Sequence, residues 1–157
     1  MEAHYYNVNV TWNRDRQGLM CSPELKVNDS QSSCIEVATP PEFPKGVPGI
    51  WSPEHLFTAA VSSCFMTTFL SIAENSKLNF ISFRCDAIGK LDQVEGKLQM
   101  TEVTVKPVLT ISDETDRDRA LRVLVKTESA CLITNSIKAN VIMEPLIKVL
   151  AAAETAL

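Results

Sequence analysis

Between His4 and Trp12 the chain alternates, with Tyr5, Asn7, Asn9 and Thr11 on one side and Tyr6, Val8, Val10 and Trp12 on the other. A period of two is the mark of a half-buried β-strand. "NRDRQG" reads as a hairpin turn closing at Gly18, and "LMCS", "ELKV" and "SCIEVA" as further short strands, so the chain opens with mostly antiparallel sheet. Regularity stops at "TPPEFPKGVPGIW", where four prolines and two glycines impose a loop over 39–51. A loop of that length is a candidate for function.

Three start signals then agree: Ser52 as N-cap, Pro53 at the first helical position and Glu54 in the first turn. From Leu56 to Ala73 nearly every position is apolar or small, which predicts a central helix over 52–76 buried on all sides. "FISFRCDAIGKL" and "LQMTEVTVKPVLTI" return to strand patterning around a "DQVEGK" hairpin connection, with Pro107 hinting at an edge or a bulge. "SDETDRDRALRVLVKTESA" is an amphipathic helix capped by Ser112 or Asp113, its apolar face formed by Ala120, Leu121, Leu124 and Val125. After it come a short helix in "CLITNSIK", a strand in "ANVIME" and a C-terminal helix over 145–157. The order predicts an α+β fold, an antiparallel sheet wrapped around a long buried central helix. It gives one domain, 1–157: strands and loop over 1–51, the central helix over 52–76, strands, second helix and second cysteine segment over 77–144, and the C-terminal helix.

Composition narrows the partners. A net charge of −4 over 157 residues, without a Lys/Arg cluster, excludes a nucleic-acid face. "MEAHYYNVNV" lacks the features of a secretory signal, and no run is read as a membrane span, so a cytoplasmic protein is expected. Five cysteines without CxxC or CxxH spacing fit neither a disulfide framework nor a zinc site, and in a reducing compartment they start as free thiols. There is no Gly-rich phosphate loop, no HExxH and no carboxylate cluster, so neither metal nor bound cofactor is expected.

What remains is sulfur chemistry. Cys64 lies mid-helix in an uncharged stretch, where a free cysteine is commonly an inert small hydrophobe. Cys131 sits where a further helix could start, and by that local criterion is the more acidic of the two, since free N–H groups favour thiolate. Cys21, Cys34 and Cys85 fall in strands as small packed side chains and receive no role. An ordinary thiol is only about 3% thiolate at pH 7, so a reactive one needs a cation or dipole nearby. Arg14 and Arg16 in the first hairpin are the candidate cations, and Glu54 is the acid nearest the buried helix that could hold a guanidinium. Ten residues of helix put Glu54 roughly 15 Å from Cys64 along the axis, so a shared site needs a loop, a bend or a second subunit. A twofold dimer is the simplest solution. His55, about 13 Å from Cys64 by the same measure, and His4 offer no Cys–His pair.

"SPEHLFTAAVSSCF" resembles the central-helix motif of the OsmC/Ohr family, the osmotically inducible and organic hydroperoxide resistance proteins. "ESACLITNSIKANV" resembles that family's second cysteine motif, with Leu132 where Pro is common, and "VTWNRDRQG" its N-terminal strand and arginine turn. The resemblance covers almost the whole chain. It implies an intertwined α+β homodimer with sites at the subunit interface, Cys64 as peroxidatic thiolate, Cys131 as resolving partner, and Glu54 holding Arg16, with Arg14 as fallback. The activity it implies is reduction of organic hydroperoxides to alcohols through a Cys64 sulfenate and a Cys64–Cys131 disulfide, without bound cofactor and with an external dithiol reductant, a lipoyl group or a small dithiol. Phe65, Phe69, Met66, Leu56 and Phe57 are either pocket lining or core. The alternative is an OsmC-like stress-associated protein that binds an apolar ligand with little turnover, and a third reading, acyl transfer, lacks its base.

Overall fold

The computed structural model describes residues 2–28 and 31–150. They form two compact units, 1–56 and 57–157, within the span that the sequence reads as one domain.

The first unit is a meander of three antiparallel strands, β1 (Asn9–Arg14), β2 (Gln17–Asn28) and β3 (Gln31–Ala38), in the order β1-β2-β3. Asp15, at a φ of 43°, turns β1 into β2. "LMCS" and "ELKV" are one strand rather than two: Pro23 interrupts the ladder without ending it, and the register with β3 shifts between Cys21 and Lys26. The expected half-burial of β1 is not found. Every described residue of that strand is exposed, Trp12 at 74%. The 39–51 loop is irregular, as expected, yet tightly folded. Val47 N–H donates to the Thr39 carbonyl at 2.9 Å, and a Cβ on Gly46 would stand 2.0 Å from the Pro40 oxygen, so only glycine fits there.

α1 (Pro53–Asn75) starts where the cap signals place it. Ser52 Oγ accepts from the His55 N–H at 3.3 Å, while His55 Nδ1 accepts from the Ser52 N–H at 3.3 Å, a capping box with histidine in the usual Glu/Gln position. The helix is not buried all round. Val61, Phe65, Phe69 and Ala73 form a single buried stripe at i, i+4 spacing, whereas Met66 and Leu70 are 41% and 42% exposed. By length and composition α1 is also apolar enough to cross a membrane, contrary to the expectation of no such run. Its buried stripe is instead part of a protein core.

That core lies in the second unit. β4 (Ser82–Val94) and β5 (Lys97–Ile111) pair antiparallel around a two-residue turn in which Glu95 and Gly96 both have positive φ, the backbone a tight hairpin requires. Phe83 of β4 stacks on Phe69 with centroids 4.2 Å apart. α2 (Arg117–Ala130), preceded by the 3-10 turn Glu114–Asp116 that Asp113 caps, adds Ala120, Val123, Leu124 and Thr127. The buried face is therefore rotated from the expected one, leaving Leu121 and Val125 exposed. "CLITNSIK" makes one 3-10 turn, Thr134–Ser136, rather than a helix.

Two further corrections concern the far edge of β5. β6 (Asn140–Met143) and β7 (Leu146–Val149) both run parallel to it, so the sheet is mixed, although the α+β class stands. Pro107 is central, not at an edge: it falls between the stretch of β5 paired to β6 and the stretch paired to β7, a gap matched by Glu144 and Pro145. β7 also replaces the start of the expected C-terminal helix, its alternating Ile147 and Val149 packing on the core. The rest of that helix, 151–157, lies outside the described residues.

Candidate active site

Cys64 flanks the buried stripe of α1, with Phe65 beside it and Thr68 one turn on. It is only half-buried, and its Sγ accepts a hydrogen bond from the Ile133 N–H at 3.5 Å and lies 3.9 Å from Thr68 Oγ1. Cys131 comes from the opposite direction. It is the C-cap of α2, fully buried, and its extended backbone (φ −64°, ψ 114°) turns the chain into the 3-10 turn. Asn135 N–H closes that turn on the Cys131 carbonyl at 3.0 Å. The result brings the Cys131 thiol into the neighbourhood of Cys64 and aims the Ile133 N–H at the Cys64 sulfur.

The two thiols are driven apart in acidity. Burial pushes Cys64 up, but the hydrogen bond from Ile133, followed by those from Cys131, Thr68 and Leu132, outweighs it and holds the thiol below its ordinary value. Burial pushes Cys131 up; Thr134 opposes this, while the neighbouring Cys64 sulfur adds to it. This reverses the expectation that Cys131 is the more acidic. Cys131 stands at the carbonyl-rich end of α2, not at a helix start, and the free N–H groups that follow it serve Cys64. In this chain the groups that lower Cys64 are hydrogen-bond donors, the Ile133 N–H first among them.

Arg16 and Glu54 belong to the first unit. Arg16 lies in the β1–β2 turn, its carbonyl accepting from the Thr39 N–H at 3.1 Å, and its side chain is exposed. It lines a cleft of about 430 Å³ with Val10, Trp12, Val37, Ala38 and Pro53, the residue before Glu54. Glu54 is half-buried in the first turn of α1 with Oε2 out of solvent. Arg14, the fallback, is exposed and donates from Nε to Gln17 Oε1 at 3.5 Å.

Of the apolar candidates, Phe65 and Phe69 are core, Phe57 packs against the core, Leu56 is half-buried and Met66 is exposed. Cys85 faces inward on β4, and burial raises its thiol to about 11, so it stays protonated at neutral pH. Cys21 and Cys34 are not free thiols: they are joined by a disulfide between β2 and β3. No group of three or more His, Cys, Asp or Glu residues that could hold a metal ion occurs among the described residues. The donors from Leu132 and Ile133 escape a reading of side chains because they are backbone groups; the available signal was the chain leaving α2 immediately before them.

Residues 46–145 match the family described as OsmC-like protein. Over 144 residues the chain is 19% identical to the uncharacterized protein YmaD of Bacillus subtilis, covering 90% of this chain and 91% of that one. An OsmC-like protein of unknown function from Vibrio cholerae superposes with a TM-score of 0.77 at 25% identity, over 92% of this chain and all of that one (100%). An organic hydroperoxide resistance protein OsmC from Legionella pneumophila shares the fold, with a TM-score of 0.71 at 19% identity over 95% and 100% of the two chains. With the family's span covering both cysteine segments and its fold reproduced from β1 to β7, this chain belongs to the OsmC-like family.

Proposed function

We propose that the chain is a cysteine-based peroxidase that reduces organic hydroperoxides to alcohols. The observation that carries this reading is the Cys64–Cys131 pair, one thiol held below its ordinary pKa in hydrogen-bonding reach of a second that is held above it. The Cys64 thiolate attacks the terminal oxygen of ROOH, the O–O bond breaks, and the alkoxide leaves as alcohol after taking a proton. Cys64 is left as a sulfenic acid, and Cys131 attacks its sulfur, forming the disulfide and releasing water. An external dithiol of lipoyl type then returns two electrons and two protons, without bound metal or cofactor.

In this proposal Arg16, held by Glu54, polarises the peroxide and further stabilises the thiolate. Arg16 supports that role by lining a cleft that Pro53 also borders. The protein acts as a cytoplasmic homodimer. The exposed Met66 and Leu70 on α1 favour a second copy as their cover, since an apolar helix face otherwise stays in water.

The test is to treat reduced protein with cumene hydroperoxide and map its thiols by mass spectrometry. A Cys64–Cys131 disulfide formed with one equivalent of peroxide, and lost in Cys64→Ser, supports the enzyme. Unchanged Cys64 and Cys131 thiols with retained binding of an apolar ligand favour a binding protein instead. Glu54→Ala is expected to slow Cys64 oxidation while the circular dichroism spectrum stays intact; an unchanged rate removes Glu54 from the site.

A further inference from the structure

The second pair of sulfurs lies outside the chemistry above. Cys21 on β2 and Cys34 on β3 occupy one rung of the antiparallel ladder, Cα to Cα 4.3 Å, and are bonded through sulfur. Three features set this bond apart from a buried staple. Cys34 is exposed and Cys21 half-buried, so a thiol in solution can approach. The rung is the last in register: β2 and β3 pair without a break from Gln17↔Ala38 to Cys21↔Cys34, after which the register shifts and resumes only at Lys26↔Ser32. Cys21 is also paired with Asn9 at the start of β1, which places the sulfur bridge on the central strand of the sheet.

We propose that Cys21 and Cys34 are a second redox site, a dithiol–disulfide couple that small dithiols reduce and small linear disulfides re-form, and whose closed state pins the register of β2 on β3. In reduction, a thiolate of the dithiol attacks the exposed Cys34 sulfur, the Cys21–Cys34 bond breaks, and Cys21 leaves as a thiolate that takes a proton. The reductant's second thiol then attacks its own sulfur in the mixed disulfide, so Cys34 leaves as the other thiol and the dithiol departs as a cyclic disulfide. Two electrons and two protons have moved to the protein. In oxidation, Cys34 thiolate attacks a linear disulfide and expels one thiol, and Cys21 closes the bridge by expelling the second. In a reducing compartment a disulfide this accessible is transient, as a redox-responsive bond is expected to be. Where the bond is open, the pairing on either side of the shift in register rests on hydrogen bonds without a cross-link at the Cys21↔Cys34 rung. This site needs neither Cys64 nor Cys131, so it does not rest on the peroxidase reading.

The experiment is differential alkylation of the native full-length protein, read by mass spectrometry of the cysteine peptides, with amide hydrogen exchange in parallel. Dithiothreitol is expected to open Cys21 and Cys34 to alkylation without denaturant, and oxidised glutathione to close them again, both in the wild type and in Cys64→Ser/Cys131→Ser. Peptides covering 22–28 are expected to exchange about tenfold faster in the reduced state while those covering 97–111 are unchanged. Cys21 and Cys34 becoming reducible only after denaturation would make the bond a fixed staple and overturn the proposal. So would two thiols that oxidised glutathione leaves open, or exchange at 22–28 that is the same in both states.

Discussion

Cys21 and Cys34 meet because two adjacent strands carry them to the same rung; Cys64 and Cys131 meet because a helix, a sheet and a second helix pack so that the end of α2 arrives beside the middle of α1. The first pair is separated by 13 residues and shares one local register. The second joins segments so distant that the hydrogen bond from Ile133 to Cys64 spans 69 positions of sequence. The consequences differ in kind. Strand pairing brings two sulfurs within bonding distance near the surface, one exposed and one half-buried, whereas tertiary packing aims an N–H donor at one sulfur and buries the other. Asymmetry of acidity is what a nucleophile and its resolving partner require, and local pairing does not create it.

The sharpest way to break this contrast is to remove each reactive sulfur. Cys64→Ser is expected to lower peroxide consumption about a thousandfold or more, the scale of losing a covalent nucleophile, in an assay with dithiol in excess. Cys131→Ser is expected to retain the first turnover and accumulate a sulfenic acid that a dimedone probe captures. Cys21→Ser/Cys34→Ser is expected to leave both steps intact.

The acidity difference can be read next. Alkylation of Cys64 in Cys131→Ser is expected to rise about tenfold per pH unit while the thiol is mostly protonated and to level off at its pKa. Hydrogen bonds to the thiolate lower that pKa, so the plateau is reached at lower pH than for Cys131 in Cys64→Ser, where burial raises it. A reversed order of plateaus would reassign the nucleophile.

Packing and pairing separate again in stability. Phe69→Ala, which removes the ring stacked on Phe83, is expected to destabilise the second unit by about 3–5 kcal/mol in urea melts and to return Cys64 alkylation towards that of an ordinary thiol. Opening the Cys21–Cys34 bridge is expected to cost the first unit about 3 kcal/mol, in keeping with the short loop it closes, with Cys64 reactivity unchanged. The smallest effect is expected from Thr68→Val, which deletes one weak contact to Cys64 Sγ and should slow alkylation at neutral pH roughly twofold.

Much of this architecture is legible in residues read one element at a time. Ser52, Pro53 and Glu54 mark the start of α1 because helix caps are local, and Glu95–Gly96 marks its hairpin because positive φ is a property of the turn itself. The family motifs around Cys64 and Cys131 likewise point to the pair that the structure brings together. Other features escape that reading. α1 is apolar on every side in sequence, yet among the described residues its fully buried positions form the single Val61–Phe65–Phe69–Ala73 stripe. Leu146–Val149 reads as helix because Ile147 and Val149 suit either conformation; the free edge of β5 decides for strand. The Cys21–Cys34 bond is invisible to cysteine counting because it depends on register, and Pro23 disturbs that register only after the rung has formed.

The sequence by itself determined where elements begin and turn, which residues are apolar and which sulfurs merit attention, because these follow from backbone preference and spacing along a few neighbouring positions. Only the tertiary structure decided which face of each helix is buried, which strands run parallel and which backbone N–H points at Cys64. Those outcomes depend on which distant groups arrive beside a given side chain: the N–H of Ile133 reaches Cys64 through the packing of α1, β4, β5 and α2, and no shorter stretch of chain contains that arrangement.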